Sequence, residues 1–153
     1  MKWITRERPK IDRIACPWLI QRFIDKEAEF LYVPNDQVLD VATETGAIPY
    51  DVPNVELTHV GEFCSFDAFI KKYKLVNPAL ESLAEIVRAA DTDSLENSLQ
   101  APGLLAITLG LSQNIQNDQE MLKIGLIIYD ALYTWCQSLA NERHGWHPEQ
   151  IKN

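Results

Sequence analysis

Strand-like sequence ends at Cys64. Before that point KWIT (2–5) alternates bulky apolar and polar side chains, EFLYVP (29–34) reads as a second strand closed by Pro34, and NVELTHVGEF (54–63) offers a third. Between the first two, IACPWLIQRFID places Ile14, Trp18, Leu19 and Phe23 near helical spacing, and NDQVLDVATETG (35–46) starts on an Asn or Asp cap and stops at Gly46. After Cys64 every segment reads as helix. SFDAFIKKY opens on Ser65 as a cap, NPALESLAEIVRAAD on Asn77 with Pro78 at the first helical position, and APGLLAITLGLSQ again on a proline. The last helix, within 117–141, is apolar nearly all round from Met121 to Cys136, which predicts burial on most sides. The expected fold is therefore α+β and mostly helical, a small N-terminal β/α layer of two or three strands packed on a C-terminal helical core.

No linker divides the 153 residues, so one domain over 1–153 is expected, with 141–153 as a flexible tail. The tail contains His144 and His147, but Gly145 and Pro148 between and after them argue against a helix that would hold both on one face. The net charge of -8 is uneven: residues 2–13 carry a net +3 through Lys2, Arg6, Arg8, Lys10 and Arg13. A chain this acidic is repelled by a phosphate backbone, so nucleic-acid binding is disfavoured, while the basic segment can still hold a small anion. Three dispersed cysteines without a CxxC pair, no signal peptide and no membrane-spanning stretch predict a cytoplasmic protein with reduced thiols and no membrane partner.

Four places concentrate chemistry. Pro17 has no N–H, so it is expected in the first turn of a helix starting near Cys16. That leaves Asp12, Arg13 and the Cys16 thiol in an entry loop where anions are favoured and a thiolate is stabilised. An Asp cap paired to Arg13, with Cys16 as buried filler, is the alternative. In THVGEFCSFD, His59, Glu62, Cys64 and Asp67 are metal-ligand types, although Asp67 also suits a helix cap. Asp91 and Asp93 sit near a helix C-terminus, where carboxylates need a compensating cation or arginine. Asp130, flanked by Leu126, Ile127, Tyr133 and Thr134, reads as a buried carboxylate needing an arginine or a metal. Cys136 is expected to be buried packing, and Cys16 and Cys64 to be the reactive thiols.

Five blocks in order, KWITRERPKIDRIACPWLIQRFID, EFLYVP, ELTHVGEFCSFDAF, IVRAADTD and YDALYTWC, resemble the C-terminal domain of the chromate-resistance protein ChrB. The similarity runs from about residue 2 to about residue 146. It maps the family's motif positions to Arg6, Asp12, Arg13, Cys16, Trp18, His59, Cys64, Asp67, Asp91 and Asp93. The resemblance implies a role in sensing of, or resistance to, chromate. In ChrB proper the domain follows an N-terminal regulatory part, elsewhere it is joined to rhodanese domains, and it also occurs alone. This chain is expected to be the stand-alone form, lacking the DNA-binding segment and working with a separate regulator, a rhodanese-type partner or further copies of itself as a homo-oligomer.

Three functions follow as expectations. The first is a domain that binds a small oxyanion, chromate or sulfate, through Arg6, Arg13, His59 and Asp12, directly or beside a metal. The second is a redox enzyme using Cys16 or Cys64, or a divalent transition metal (Zn, Fe or Mn) held by His59, Glu62, Asp91 and Asp130. The third is an acidic subunit that docks a regulator.

Overall fold

The computed structural model describes residues 1–142, 144 and 145. His147 and most of the expected flexible tail lie outside the described residues. A three-stranded parallel sheet is formed by β1 (Lys2–Arg6), β2 (Glu29–Val33) and β3 (Ile48–Pro49), with β1 in the centre. Helix α1 (Asp12–Leu19), extended by a π-helical turn (Ile20–Ile24), connects β1 to β2, and α2 (Val38–Thr45) connects β2 to β3. Successive strand residues face opposite sides. Trp3 accordingly joins a large core with Ile14, Trp18 and Leu19 of α1, whereas Ile4 joins a small one with Val38 and Ala42 of α2. The sheet is thus covered by α1 on one face and by α2 on the other, and the chain changes side at the carboxyl end of β1.

The helical remainder comprises α3 (Ser65–Lys72), α4 (Pro78–Asp91), α5 (Ala101–Asn114) and α6 (Asp118–Thr134), the last prolonged by a second π-helical turn (Trp135–Leu139). Asn77 caps α4 as expected, its side-chain oxygen accepting from the amides of Ala79 and Leu80. Helices α1 and α6 pack so closely that a Cβ at Gly125 would overlap the Ile14 side chain. Among the described residues, no helix is long and apolar enough to cross a membrane.

Several local expectations are corrected. The third strand is Ile48–Pro49 and not 54–63; the latter is a loop with two isolated bridges, Tyr50 to Leu57 and Val60 to Phe63. The place beside β1 is already taken, and the Val60–Phe63 pair closes a turn on Gly61, whose φ is 60°. Helix α1 begins at Asp12, so Pro17 lies inside it. A proline there frees the carbonyl of Arg13, and the Tyr32 hydroxyl fills the gap by donating to it at 2.8 Å. The cap of α3 is Cys64 and not Ser65. Finally, α6 buries only Met121, Leu122, Gly125 and Tyr129, and Ile127 is 67% exposed, so its apolar sequence is not explained by burial on most sides.

Candidate functional site

In an open parallel sheet, polar groups converge where the chain switches faces, at the carboxyl ends of the strands. Here β1 ends at Arg6, α1 begins at Asp12, and Asp51 follows β3, with Ser65 at the start of α3 beside them. Two helix N-termini therefore open onto this point. Asp12, fully buried, accepts from the backbone amides of Ser65 at 2.7 Å and Phe66 at 3.4 Å, so a residue of α1 caps α3. The Asp12 amide itself donates to Asp91 at 3.3 Å, so the last residue of α4 caps α1. This exchange answers the need for compensation that a carboxylate at the end of α4 raises.

His59, from the loop before α3, completes the arrangement. Its Nε2 lies 2.9 Å from Asp91 Oδ2, 3.2 Å from Asp51 Oδ1 and 3.3 Å from Asp12 Oδ2. Among the described residues, Asp12, His59 and Asp91 form the one group that brings a ligand atom from each member within 4.8 Å of the others. Hydrogen bonds to Asp12 and Asp51 push the His59 pKa up to about 10. Burial, together with the charges of Asp12 and Asp51, raises that of Asp91 to about 7. Burial also raises Asp12 against the opposing effect of His59, whereas for Asp51 hydrogen bonds from His59 and Ser65 outweigh burial and lower it. The backbone is held in unusual conformations on both sides: Ile11, before Asp12, has φ 41° and Asp51 has φ 54°. A β-branched residue at positive φ stores strain on the order of 1–3 kcal/mol, tolerated where surrounding structure fixes it.

The arginines approach from the strand side and meet a carboxylate. Arg6 Nη2 is 3.3 Å and Arg13 Nε 3.6 Å from Asp51 Oδ2, and Arg13 also donates to the carbonyls of Arg6 and Glu7. Arg6, Arg13, Asp12, His59 and Asp91 are thus brought together. Arg8 is not: its guanidinium binds the carbonyls of Ser112, Ile115 and Gln116 at the end of α5.

Other candidates lie elsewhere. Glu62 is exposed on the Val60–Phe63 turn, outside the cluster. Asp130 is not buried; its side chain is 47% exposed, with a bidentate pairing to Arg22 at 2.9 and 2.8 Å and a bond from Trp18 Nε1 at 2.7 Å. Asp67 accepts from the Cys64 amide as a capping residue and is held bidentately by Arg88 at 2.9 and 2.7 Å. Asp93 is exposed. Cys16 and Cys64 are buried, and burial, reinforced by the charge of Asp12, pushes both thiols up, opposite to the expected thiolate stabilisation. Cys136 is the half-buried one.

Sequence reasoning missed Asp51. Its signal was an acidic residue directly after the apolar AIPY, at the carboxyl end of a parallel strand, but a two-residue strand leaves no period to read.

The family described as "ChrB, C-terminal domain" matches residues 3–136. The chain is 30% identical over 139 residues to Protein ChrB of Cupriavidus metallidurans, covering 90% of this chain and 41% of that protein. It thus spans about two fifths of that curated relative. No solved structure matches.

Proposed function

The chain belongs to the ChrB C-terminal domain family, and from that premise we propose that it is a chromate-resistance domain built around a divalent metal site formed by Asp12, Asp51, His59 and Asp91. The observation that carries this reading is the convergence of three carboxylate oxygens on His59 Nε2. A single N–H can point at one oxygen, whereas a multivalent cation satisfies all of them. Three oxygen donors and one imidazole suit Mn, Fe or Zn. The imidazole becomes a neutral ligand once a metal displaces its Nε2 proton.

The same geometry supports a particular way of binding an oxyanion. Chromate and sulfate are dianions, and three clustered carboxylates repel them. Arg6 and Arg13 offset part of that charge but are turned to Asp51. A metal held by these residues would add the positive charge an oxyanion needs there, and Arg6 and Arg13 would flank the anion as further donors. A thiol-based redox reaction is supported less well, because both internal thiols are buried and pushed towards the neutral form.

The test is metal analysis of the purified protein with titration of Mn, Fe and Zn, followed by chromate and sulfate titration of the metal-free and metal-loaded forms. One equivalent of metal is expected, lost in His59→Ala, with anion binding only in the loaded form. Equal anion affinity in the metal-free form would return the site to a pure anion pocket. Absence of both metal and anion binding would favour a regulator-docking subunit.

A further inference from the structure

Helix α5 carries apolar side chains on its water-facing side as well as on its core-facing side, where Ala101 and Leu104 are buried. Its buried positions also include Thr108 and Ser112, only 4% and 6% exposed, while Ile107 on the outer face is 56% exposed. The water-facing side of a helix normally carries charged and polar residues. From 97 to 117 the sequence contains no Asp, Glu, Lys, Arg or His, in a chain of net charge -8.

Two glycines sharpen the observation. Gly103 and Gly110 lie inside α5 at exposed positions, and a methyl group at either would touch nothing within 4 Å. The fold needs neither of them, yet each destabilises the helix by roughly 0.5–1 kcal/mol relative to Ala. Gly125 shows what an internal glycine does when it is used, since there it admits Ile14 of α1. At α5 no element among the described residues makes such an approach.

We propose that this outer face of α5 is the contact surface for a second copy of the chain, with the two α5 helices packed antiparallel about a two-fold axis between Ala106 and Ile107. The spacing supports a self-contact. Gly103, Ala106, Ile107 and Gly110 share one face and read with the same intervals in both directions. A two-fold axis at their centre sets each glycine against the other glycine of the opposite copy, and each Ile107 against Ala106. Charge supports the same partner. Two chains of -8 repel across charged surfaces, so self-association is directed to the charge-free face, whereas a basic protein would be drawn to the acidic surface instead.

The experiment is sedimentation velocity of the full chain over a hundredfold dilution series, with Ile107→Glu and the double variant Gly103→Ala/Gly110→Ala. Wild type is expected to approach twice its 17.5 kDa mass at the concentrated end, and Ile107→Glu to stay at the monomer mass with an unchanged circular dichroism spectrum. The alanine pair should melt at a higher temperature as a dilute monomer and yet associate more weakly, opposite effects that only an interface produces. A wild-type chain that remains monomeric throughout leaves the face to a different partner and overturns the proposal. A dimer that survives Ile107→Glu or the alanine pair overturns it as well.

Discussion

Asp67 and Asp91 face each other's problem with opposite solutions. Asp67, at the start of α3, is fully answered: it caps the helix, accepts from the Cys64 amide and is gripped by both arms of Arg88. Asp91, at the end of α4, sits with two further carboxylates around one imidazole, and the nearest arginines turn to Asp51. The first is a closed pair, neutral without outside help. The second is an open set, in which three carboxylates share one imidazole, both arginines turn to the same one of them, and the backbone is strained at Ile11 and Asp51. Structural carboxylates are commonly matched one to one; three gathered on one imidazole beside two helix N-termini are the feature on which the proposed cation site rests.

Breaking the closed pair should have the largest effect. Arg88→Ala strands the mostly buried Asp67 carboxylate and should lower unfolding free energy by about 2–3 kcal/mol, read from urea denaturation, with metal content unchanged. Asp91→Asn should act in the opposite direction on the metal-free protein. Removing one of three crowded carboxylates, while keeping an oxygen for the Asp12 amide, should raise stability by on the order of 1 kcal/mol and abolish metal binding. If both variants destabilise equally, the distinction between closed and open sets fails.

The comparison also has a pH signature. Asp91 holds its proton up to about 7 when folded, against an ordinary value of 3.8, so the unfolded chain binds fewer protons between those limits. His59 does the same between 6.5 and about 10. Stability of the metal-free protein should therefore fall continuously as pH rises from about 4 to about 10, and metal affinity should rise over the same range as competing protons leave. In Asp91→Asn the fall below pH 7 should flatten and the part above it remain. A stability maximum near neutral pH in the metal-free wild type would contradict the assignment.

The smallest effect is expected at Asp130. Its pairing with Arg22 is half exposed, so Arg22→Ala should cost no more than about 1 kcal/mol and leave metal content untouched.

Much of this was legible in the sequence. Strand periodicity gave β1 and β2, and caps and prolines located α4 and α5, because those signals are local. His59, Asp12, Arg13 and Asp91 stood out because each was a polar residue lacking a local reason. Asp51 did not stand out, since an Asp before a Val-Pro pair looks like a turn, and only the parallel pairing of Ile48–Pro49 with β1 brings it to the others. Pro17 misled for a related reason. The carbonyl it frees is satisfied by Tyr32, a residue of β2, and no local rule anticipates a tertiary repair. Glu62 and Asp130 had suitable chemistry at unsuitable places, which spacing alone does not separate.

The mutual capping of α1, α3 and α4 has a consequence for the order of assembly. Asp12 and Asp91 are 79 positions apart, and the hydrogen bond that the Asp12 amide donates to the Asp91 carboxylate cannot form until α4 has been synthesised and docked. On the ribosome the first sixty residues can pair their strands early, but the four donor side chains meet only after the chain has grown past Asp91. A nascent or proteolytically clipped fragment ending before α4 carries three of the four side chains and cannot assemble the set, so under the proposed metal reading only a chain whose two layers have already joined would be loaded.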